Sequence, residues 1–337
     1  MRGMLAHSAS RARASLQSAV TLLRMHRRAF LTTAAMAMGG AAVRGQEAAS
    51  PAPDWGGPVI DTHLHLRQGP DANHTHMQGC GVTHAVLRAR DSAAEQVAAI
   101  RAKYPGKFVW TASADAANPD AEALLTKAVK SGGALGFGEI KSHVEADGPE
   151  LRRLYSLAAE LGVTIMVHFQ EVPHYEGEGV FATGFKRFEA VLKAFLKTTF
   201  IGHADAFWAN VSADYANDVD YPSGSIRRGG ITDKLLGDYA NLYGDLSANS
   251  GNNALSRDAD FTRDFLARHQ DKLIFGSDCG CSDGRGAGTA QANNPRASRL
   301  AGKCVARETL ALLKRSSTPD VFRKLAWGNA ARLFALA

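Results

Sequence analysis

The run Ile60-Asp61-Thr62-His63-Leu64-His65-Leu66 carries two histidines two residues apart among β-forming apolar residues. Side chains two apart on a strand share a face, so His63 and His65 project together, with Asp61 one step below them. Two imidazoles fixed side by side on a rigid strand suit a divalent cation. A His-x-His is common by chance, so its meaning depends on what later strands add. Four further apolar runs each close on polar groups: Gly138-Glu139-Ile140-Lys141, Met166-Val167-His168, Ile201-Gly202-His203 and Phe275-Gly276-Ser277-Asp278. Histidines and carboxylates gathered from separate strand ends make an N/O ligand set for a divalent metal.

Such a set needs a scaffold that presents strand ends at one mouth. From Val59 onward, short β-rich runs alternate with helical stretches. After the first strand, strands are predicted over 83–88, 107–112, 134–140, 163–168, 199–203, 241–246 and 272–277. Helices are predicted over 71–79, 92–103, 120–130, 149–161, 185–197, 257–269 and 306–314. The 149–161 helix is the best marked, with Pro149 at its start and Gly162 just past its end. Eight strands, most followed by a helix, predict a distorted (β/α)8 TIM barrel over residues 59–337, and doubly wound sheets seldom need eight parallel strands. The insertion over 206–230 holds Trp208, Tyr215 and Tyr221 and is a candidate lid or substrate wall. A Gly-rich loop over 280–295 follows the eighth strand.

Charge separates the chain into two parts. The formal net charge is +6, yet residues 1–45 hold seven arginines and no acid, which leaves 32 basic against 33 acidic residues in the remainder. The body therefore gives no electrostatic case for nucleic-acid or membrane-surface binding. In the leader, His26-Arg27-Arg28-Ala29-Phe30-Leu31 resembles a twin-arginine export signal. The apolar run behind it is too short and too rich in small residues to span a membrane. The expectation is a cleaved signal over 1–45, a flexible mature N-terminus over 46–58, and an exported, periplasmic body. Its partners would be the export machinery and a small-molecule substrate, with no lasting membrane anchor; self-association is left open. The four cysteines, Cys80, Cys279, Cys281 and Cys304, are too few for a disulfide framework in 337 residues. Cys279-Gly280-Cys281 lacks the two-residue spacing of structural zinc sites and has no second pair, so buried thiols or one incidental bridge are expected.

The opening Asp61-Thr62-His63-Leu64-His65 is similar to that of the metal-dependent amidohydrolase superfamily. The ordered His168, His203 and Asp278 and the closing Gly328-Asn329-Ala330-Ala331-Arg332-Leu333-Phe334 share the likeness. The Tyr243-Gly244-Asp245-Leu246-Ser247 stretch resembles the seventh strand of its amidohydrolase-2 branch. The resemblance implies metal ligation by His63, His65 and His168. It makes Asp278 a ligand that also takes a proton from bound water, and His203 a second-metal ligand or an electrostatic partner for substrate. Glu139 and Lys141 share a face, and either could complete the fourth strand's contribution; a fixed carboxylate needs no modification to bind a cation, which favours Glu139. Zinc is the expected metal, as one ion or two, with manganese as the alternative. The implied activity is hydrolysis of an amide, ester or lactone bond by metal-activated water. Its rivals are non-oxidative decarboxylation, phosphoester hydrolysis and metal binding without catalysis.

Other residues are expected to be bystanders. His74 and His76, two apart on a helix, point away from each other and read as surface residues. His143 and His174 follow strands and read as solvated, as do Arg67, Arg227 and Arg228. Asp245 would orient a neighbouring loop.

Overall fold

The computed structural model describes residues 51–290 and 299–336, so the expected signal over 1–45 lies outside the described residues. Eight parallel strands run in sequence order round a single sheet: β1 Ile60–His65, β2 His84–Arg90, β3 Phe108–Ser113, β4 Gly136–Ile140, β5 Thr164–His168, β6 Thr199–His203, β7 Leu242–Asp245 and β8 Leu273–Ile274. The β8 end returns to β1 through Thr62 N–H donating to the Phe275 carbonyl at 3.0 Å and Asp278 N–H donating to the His63 carbonyl at 2.8 Å. The fold is the (β/α)8 barrel that the alternation of strands and helices predicts.

Most elements lie within two residues of their predicted positions. The 149–161 helix spans Pro149–Leu161, with Pro149 in its first turn and Gly162 capping it at φ 65°. β8 is much shorter than predicted because Phe275 to Asp278 leave the ladder and turn over the barrel mouth. The predicted 185–197 helix is a 3-10 turn, Phe185–Arg187, running into Phe188–Ala194. The helices Ile231–Asp238 and Ala248–Ser256 were not predicted; the second is Asn- and Ser-rich and lacks a strong apolar stripe. No helix among the described residues is long and apolar enough to cross a membrane.

Two expectations fail on packing. A flexible segment through residue 58 is overturned at Trp55, which is buried and donates its indole N–H to the Cys80 carbonyl at 2.9 Å. The insertion over 206–230 is not wholly a lid. It begins with the short helix Asp205–Ala209, whose Phe207 and Trp208 are fully buried, and Trp208 Nε1 donates to the Asp245 carbonyl at 2.8 Å. Fully burying such aromatics contributes on the order of 2–3 kcal/mol each.

Inside the barrel, Ile60, Val86, Met166, Ile201 and Ile274 form a separate apolar plug, closed from below by Ala330 and Phe334 of the C-terminal motif. Asn329 of that motif donates to the carbonyls of Gln270 and Leu273, at 2.7 and 2.8 Å, and so ties the C-terminus to the root of β8. Below the mouth the barrel is thus dry and filled, and the polar strand ends stand at its upper rim.

Gly276 allows the turn after β8 to pass close to that rim. A Cβ there would lie 2.8 Å from His63 Cβ and 3.0 Å from Ser247 Cβ, and would press on Asp245 Oδ1. Gly276→Ala is expected to destabilise the fold by about 1–3 kcal/mol, as overpacking does. Urea unfolding of the variant checks it, and an unchanged midpoint would show that this contact is not limiting.

Candidate metal centre

Asp61 assembles the rim first. It is fully buried and accepts from the Ser277 N–H at 2.8 Å, the Ser277 hydroxyl at 2.5 Å and the His63 N–H at 3.0 Å, which locks β1 to the turn after β8. That turn then presents Asp278 with φ 45°, a left-handed conformation uncommon for a residue with a side chain.

The donor atoms fall into two sets around one carboxylate. His63 Nε2 lies 3.3 Å from His65 Nε2 and 3.6 Å from Glu139 Oε2. His65 Nε2 is 3.5 Å from the same Glu139 oxygen and 3.3 Å from Asp278 Oδ1. Across the carboxylate, Glu139 Oε1 lies 3.3 Å from His203 Nε2 and closely contacts His168 Nδ1. Every residue expected at the site is therefore brought to it. Lys141 is not: its Nζ reaches Glu178 at 3.4 Å and lies over the Phe181 ring.

Outer partners settle which imidazole nitrogens carry lone pairs into the centre. Asp245 Oδ2 accepts from His63 Nδ1 at 2.8 Å and from His203 Nδ1 at 3.1 Å, leaving both Nε2 atoms turned inward. His168 Nε2 donates to Gln170 Oε1 at 2.9 Å, leaving Nδ1 turned inward. Ser247 and Thr62 complete the polar shell of Asp245, with Ser247 Oγ 2.9 Å from His203 Nδ1 and Thr62 Oγ1 3.2 Å from Asp245 Oδ1. Partners of this kind fix ring tautomer and orientation in metal sites. Asp245 thus orients two histidines rather than a loop.

The site attracts positive charge. Burial works against protonating His65, but hydrogen bonds to Asp278 and Glu139 outweigh it and raise its pKa to about 10. His203 rises to about 10 in the same way, against burial, through Asp245 and Glu139. Burial pushes the Asp245 carboxyl up, yet His203 and His63 hold it well below the usual carboxylate range. The Nε2 atoms of His63 and His65, 3.3 Å apart beside the carboxylates of Glu139 and Asp278, form a donor set that fits divalent cations.

Sequence reasoning missed Arg88. It is fully buried under the centre, donating from Nε to the Thr62 carbonyl at 3.0 Å and from Nη1 to Thr111 Oγ1 at 2.8 Å. Burial lowers its pKa to about 10, while Asp245, Glu139, Asp61 and Asp278 favour its charged form. The inward register of Leu87-Arg88-Ala89 on β2 was its only sequence signal.

The mouth opens into a cleft of about 610 Å³, lined by His65, Arg67, Lys141, His174, Tyr221 and Asp278 among others. His174 is not simply solvated: it is partly buried and its Nε2 pairs with Asp205 at 2.9 Å. Tyr221 is the part of the 206–230 insertion that reaches this wall. His143 stays exposed, stacked on Phe181, and Arg228 pairs with Asp264 away from the cleft.

A family model described as amidohydrolase matches residues 60–336. No curated protein sequence matches the chain. Among solved structures, the probable 2-pyrone-4,6-dicarboxylic acid hydrolase of Acinetobacter baumannii, with citric acid bound, is similar at 12% identity and TM-score 0.51, covering 83% of this chain and 100% of that one. A dihydroxybenzoic acid decarboxylase from Polaromonas sp. JS666, with bound manganese and 2-nitroresorcinol, is similar at 15% identity and TM-score 0.50, covering 83% and 97%. The 5-carboxyvanillate decarboxylase of Sphingomonas paucimobilis is similar at 11% identity and TM-score 0.50, covering 83% and 99%. At these identities the likeness is one of fold.

Replacing Asp245 by Asn removes the acceptor that sets two histidine tautomers while leaving every inward donor in place. Asp245→Asn is expected to weaken divalent-metal affinity about 10–100-fold. Competition with a chromophoric chelator measures this; wild-type affinity in a folded variant would contradict the role.

Proposed function

We propose that this chain, which belongs to the amidohydrolase family, is a metal-dependent hydrolase of small carboxylate-bearing molecules. The family consists of enzymes, so the rival of metal binding without catalysis falls away. The observation that carries the hydrolytic reading is the placement of Glu139, whose two oxygens face separate donor sets. Oε2 faces His63 and His65, with Asp278 beside them, and Oε1 faces His168 and His203. Glu139 with His63, His65 and Asp278 on one side and with His168 and His203 on the other would hold one ion or two, with zinc as the first choice and manganese as the second. When bound, such ions lower the pKa of water toward neutrality and polarise the bond under attack.

The protein's own groups complete the reaction. Asp278 has an oxygen at the edge of the cleft and a partly exposed side chain, which suits it to take a proton from the attacking water and pass it to the leaving group. Lys141, Arg67, His174 and Lys303 face the same cleft against Glu178 and Asp278, so its wall keeps a cationic excess suited to an acidic substrate. Burial lowers the His174 pKa, but Asp205 more than restores it, so this ring favours its charged form. The bond would be an amide, ester or lactone. The twin-arginine-like leader supports an exported, periplasmic enzyme from which residues 1–45 are removed.

A second reading, non-oxidative decarboxylation of an aromatic or unsaturated acid, draws the stronger support from the comparisons, since two of the three structures described above are decarboxylases. The same cationic wall would hold a carboxylate, and a C–C bond would break. Turnover of a panel of lactones, amides and hydroxybenzoates in ¹⁸O-labelled water separates the two. Label in the product supports hydrolysis, whereas carbon dioxide release without label overturns it. Asp278→Asn is expected to lower turnover about 10²–10⁴-fold, the range for general acid–base groups. Full turnover by a metal-loaded variant would remove Asp278 from the proton path.

A further inference from the structure

All four cysteines of the chain meet in one buried cluster behind the turn that carries Asp278. Cys279 Sγ lies 3.3 Å from Cys281 Sγ and 3.8 Å from Cys304 Sγ, and Cys281 Sγ is 3.6 Å from His76 Nδ1. One ligand atom from each of His76, Cys279, Cys281 and Cys304 falls within 4.8 Å of the others, and all four residues are buried. His76 is therefore no surface residue, contrary to the expectation from its helix spacing. Cys279-Gly280-Cys281 needs no second Cys pair in sequence, because Cys304 and His76 reach it through the fold.

We propose that His76, Cys279, Cys281 and Cys304 form a second, structural metal site of the Cys3His class, taking zinc or a similar thiophilic cation. A tetrahedron with metal–sulfur bonds of about 2.3 Å has sulfur–sulfur edges of about 3.8 Å and sulfur–nitrogen edges near 3.5 Å. The sulfur–sulfur separations of 3.3 and 3.8 Å lie inside and on the sulfur–sulfur edge. His76 Nδ1 lies 3.0 Å from the Cys281 carbonyl, which fixes that nitrogen as the N–H, and Nε2 is buried with no hydrogen-bond partner. A ligating histidine is usually held in this way, one nitrogen on a carbonyl and the other free for the metal.

Binding a divalent cation to three thiols releases three protons and leaves a net charge of −1. Arg67 is placed to offset it, with Nη1 donating to the Cys281 carbonyl at 2.5 Å and Nη2 donating to the Cys279 carbonyl. The helix that carries His76, Ala72–Cys80, packs so closely on the loop that a Cβ on Gly79 would strike the Asp283 carbonyl, and one on Gly284 would strike that of His76. The two ligand-bearing segments are thus built to meet. Cys80 is buried beside Cys304, and its thiol donates to the Met77 carbonyl at 3.5 Å, outside the ligand set.

Cobalt loading of the reduced, metal-stripped full chain tests this. The expected result is a near-ultraviolet thiolate-to-cobalt charge-transfer band that reaches the intensity of one thiolate-bound cobalt per chain however much cobalt the mouth also takes, is lost in Cys281→Ser and Cys304→Ser, and persists in Cys80→Ser. The barrel mouth has no sulfur donor, so the band reports this site whatever the mouth binds or catalyses. If the serine variants fail to fold, the wild-type protein still decides. No band from a chain with four titratable thiols overturns the site, and so does a count of two thiols in the unreduced, chelated and denatured protein, which would mean a disulfide.

Discussion

The charge balance at the barrel mouth constrains the rest of the structure. Asp61, Glu139, Asp245 and Asp278 gather within one rim, where buried Arg88 on β2 and His203 on β6 supply counter-charge. Leaving a buried charge without its partner costs about 3–5 kcal/mol, so such a cluster persists only if each carboxylate has a defined donor. Asp61 is satisfied by backbone and Ser277, and Asp245 by two imidazoles, Thr62 and Ser247. Glu139 and Asp278 are left facing imidazole nitrogens across the opening. The two carboxylates that structure satisfies are the deep ones, and the two that call for a cation are the accessible ones.

That division follows from strand geometry. His168 and His203 are register partners on β5 and β6, so they share a level at the rim. His63 sits on the same face of β1, and Asp245 closes β7 between His203 and His63. The plug of Ile60, Val86, Met166, Ile201 and Ile274 lies one layer below. On β5 and β6 alternation puts Met166 and Ile201 directly under His168 and His203, whereas on β1 the three-residue step from Ile60 to His63 spans the register shift between Asp61 and Leu64. The apolar layer below strengthens the electrostatics above it by lowering the local dielectric on that side.

The residues that close apolar runs were legible in the sequence because strand ends are where a barrel exposes side chains. His63, His65, Glu139, His168, His203 and Asp278 all obey that rule, and so does the barrel that holds them. Arg88 did not show because it lies inside a strand, where an arginine ordinarily marks an exposed face. Asp245 was visible, but its partners are 182 and 42 positions away and meet it only through barrel closure. The choice between Glu139 and Lys141 turned on a local feature: the chain at Gly138 adopts φ 118°, where a Cβ would strike Met166. That glycine breaks simple alternation, so the two residues do not present side chains as an ideal strand would.

The cysteine cluster escaped for a related reason and bears on the mouth itself. Spacing rules for thiolate sites assume ligands supplied in sequence pairs, whereas here one pair, Cys279 and Cys281, is completed by a helix 200 residues earlier and by Cys304 beyond a long loop. Those cysteines begin one residue after Asp278, whose left-handed backbone would otherwise relax. Asp61 holds the turn from the β1 side through Ser277, while Arg67 holds it from the outer side through the carbonyls of Cys279 and Cys281. Asp278 is thus clamped between two anchors of different chemistry, a buried carboxylate before it and a guanidinium over the thiol cluster after it. The proton transfer proposed for Asp278 needs its oxygen placed to within a fraction of an ångström, and a turn pinned on both sides supplies that placement without adding bulk to the cleft.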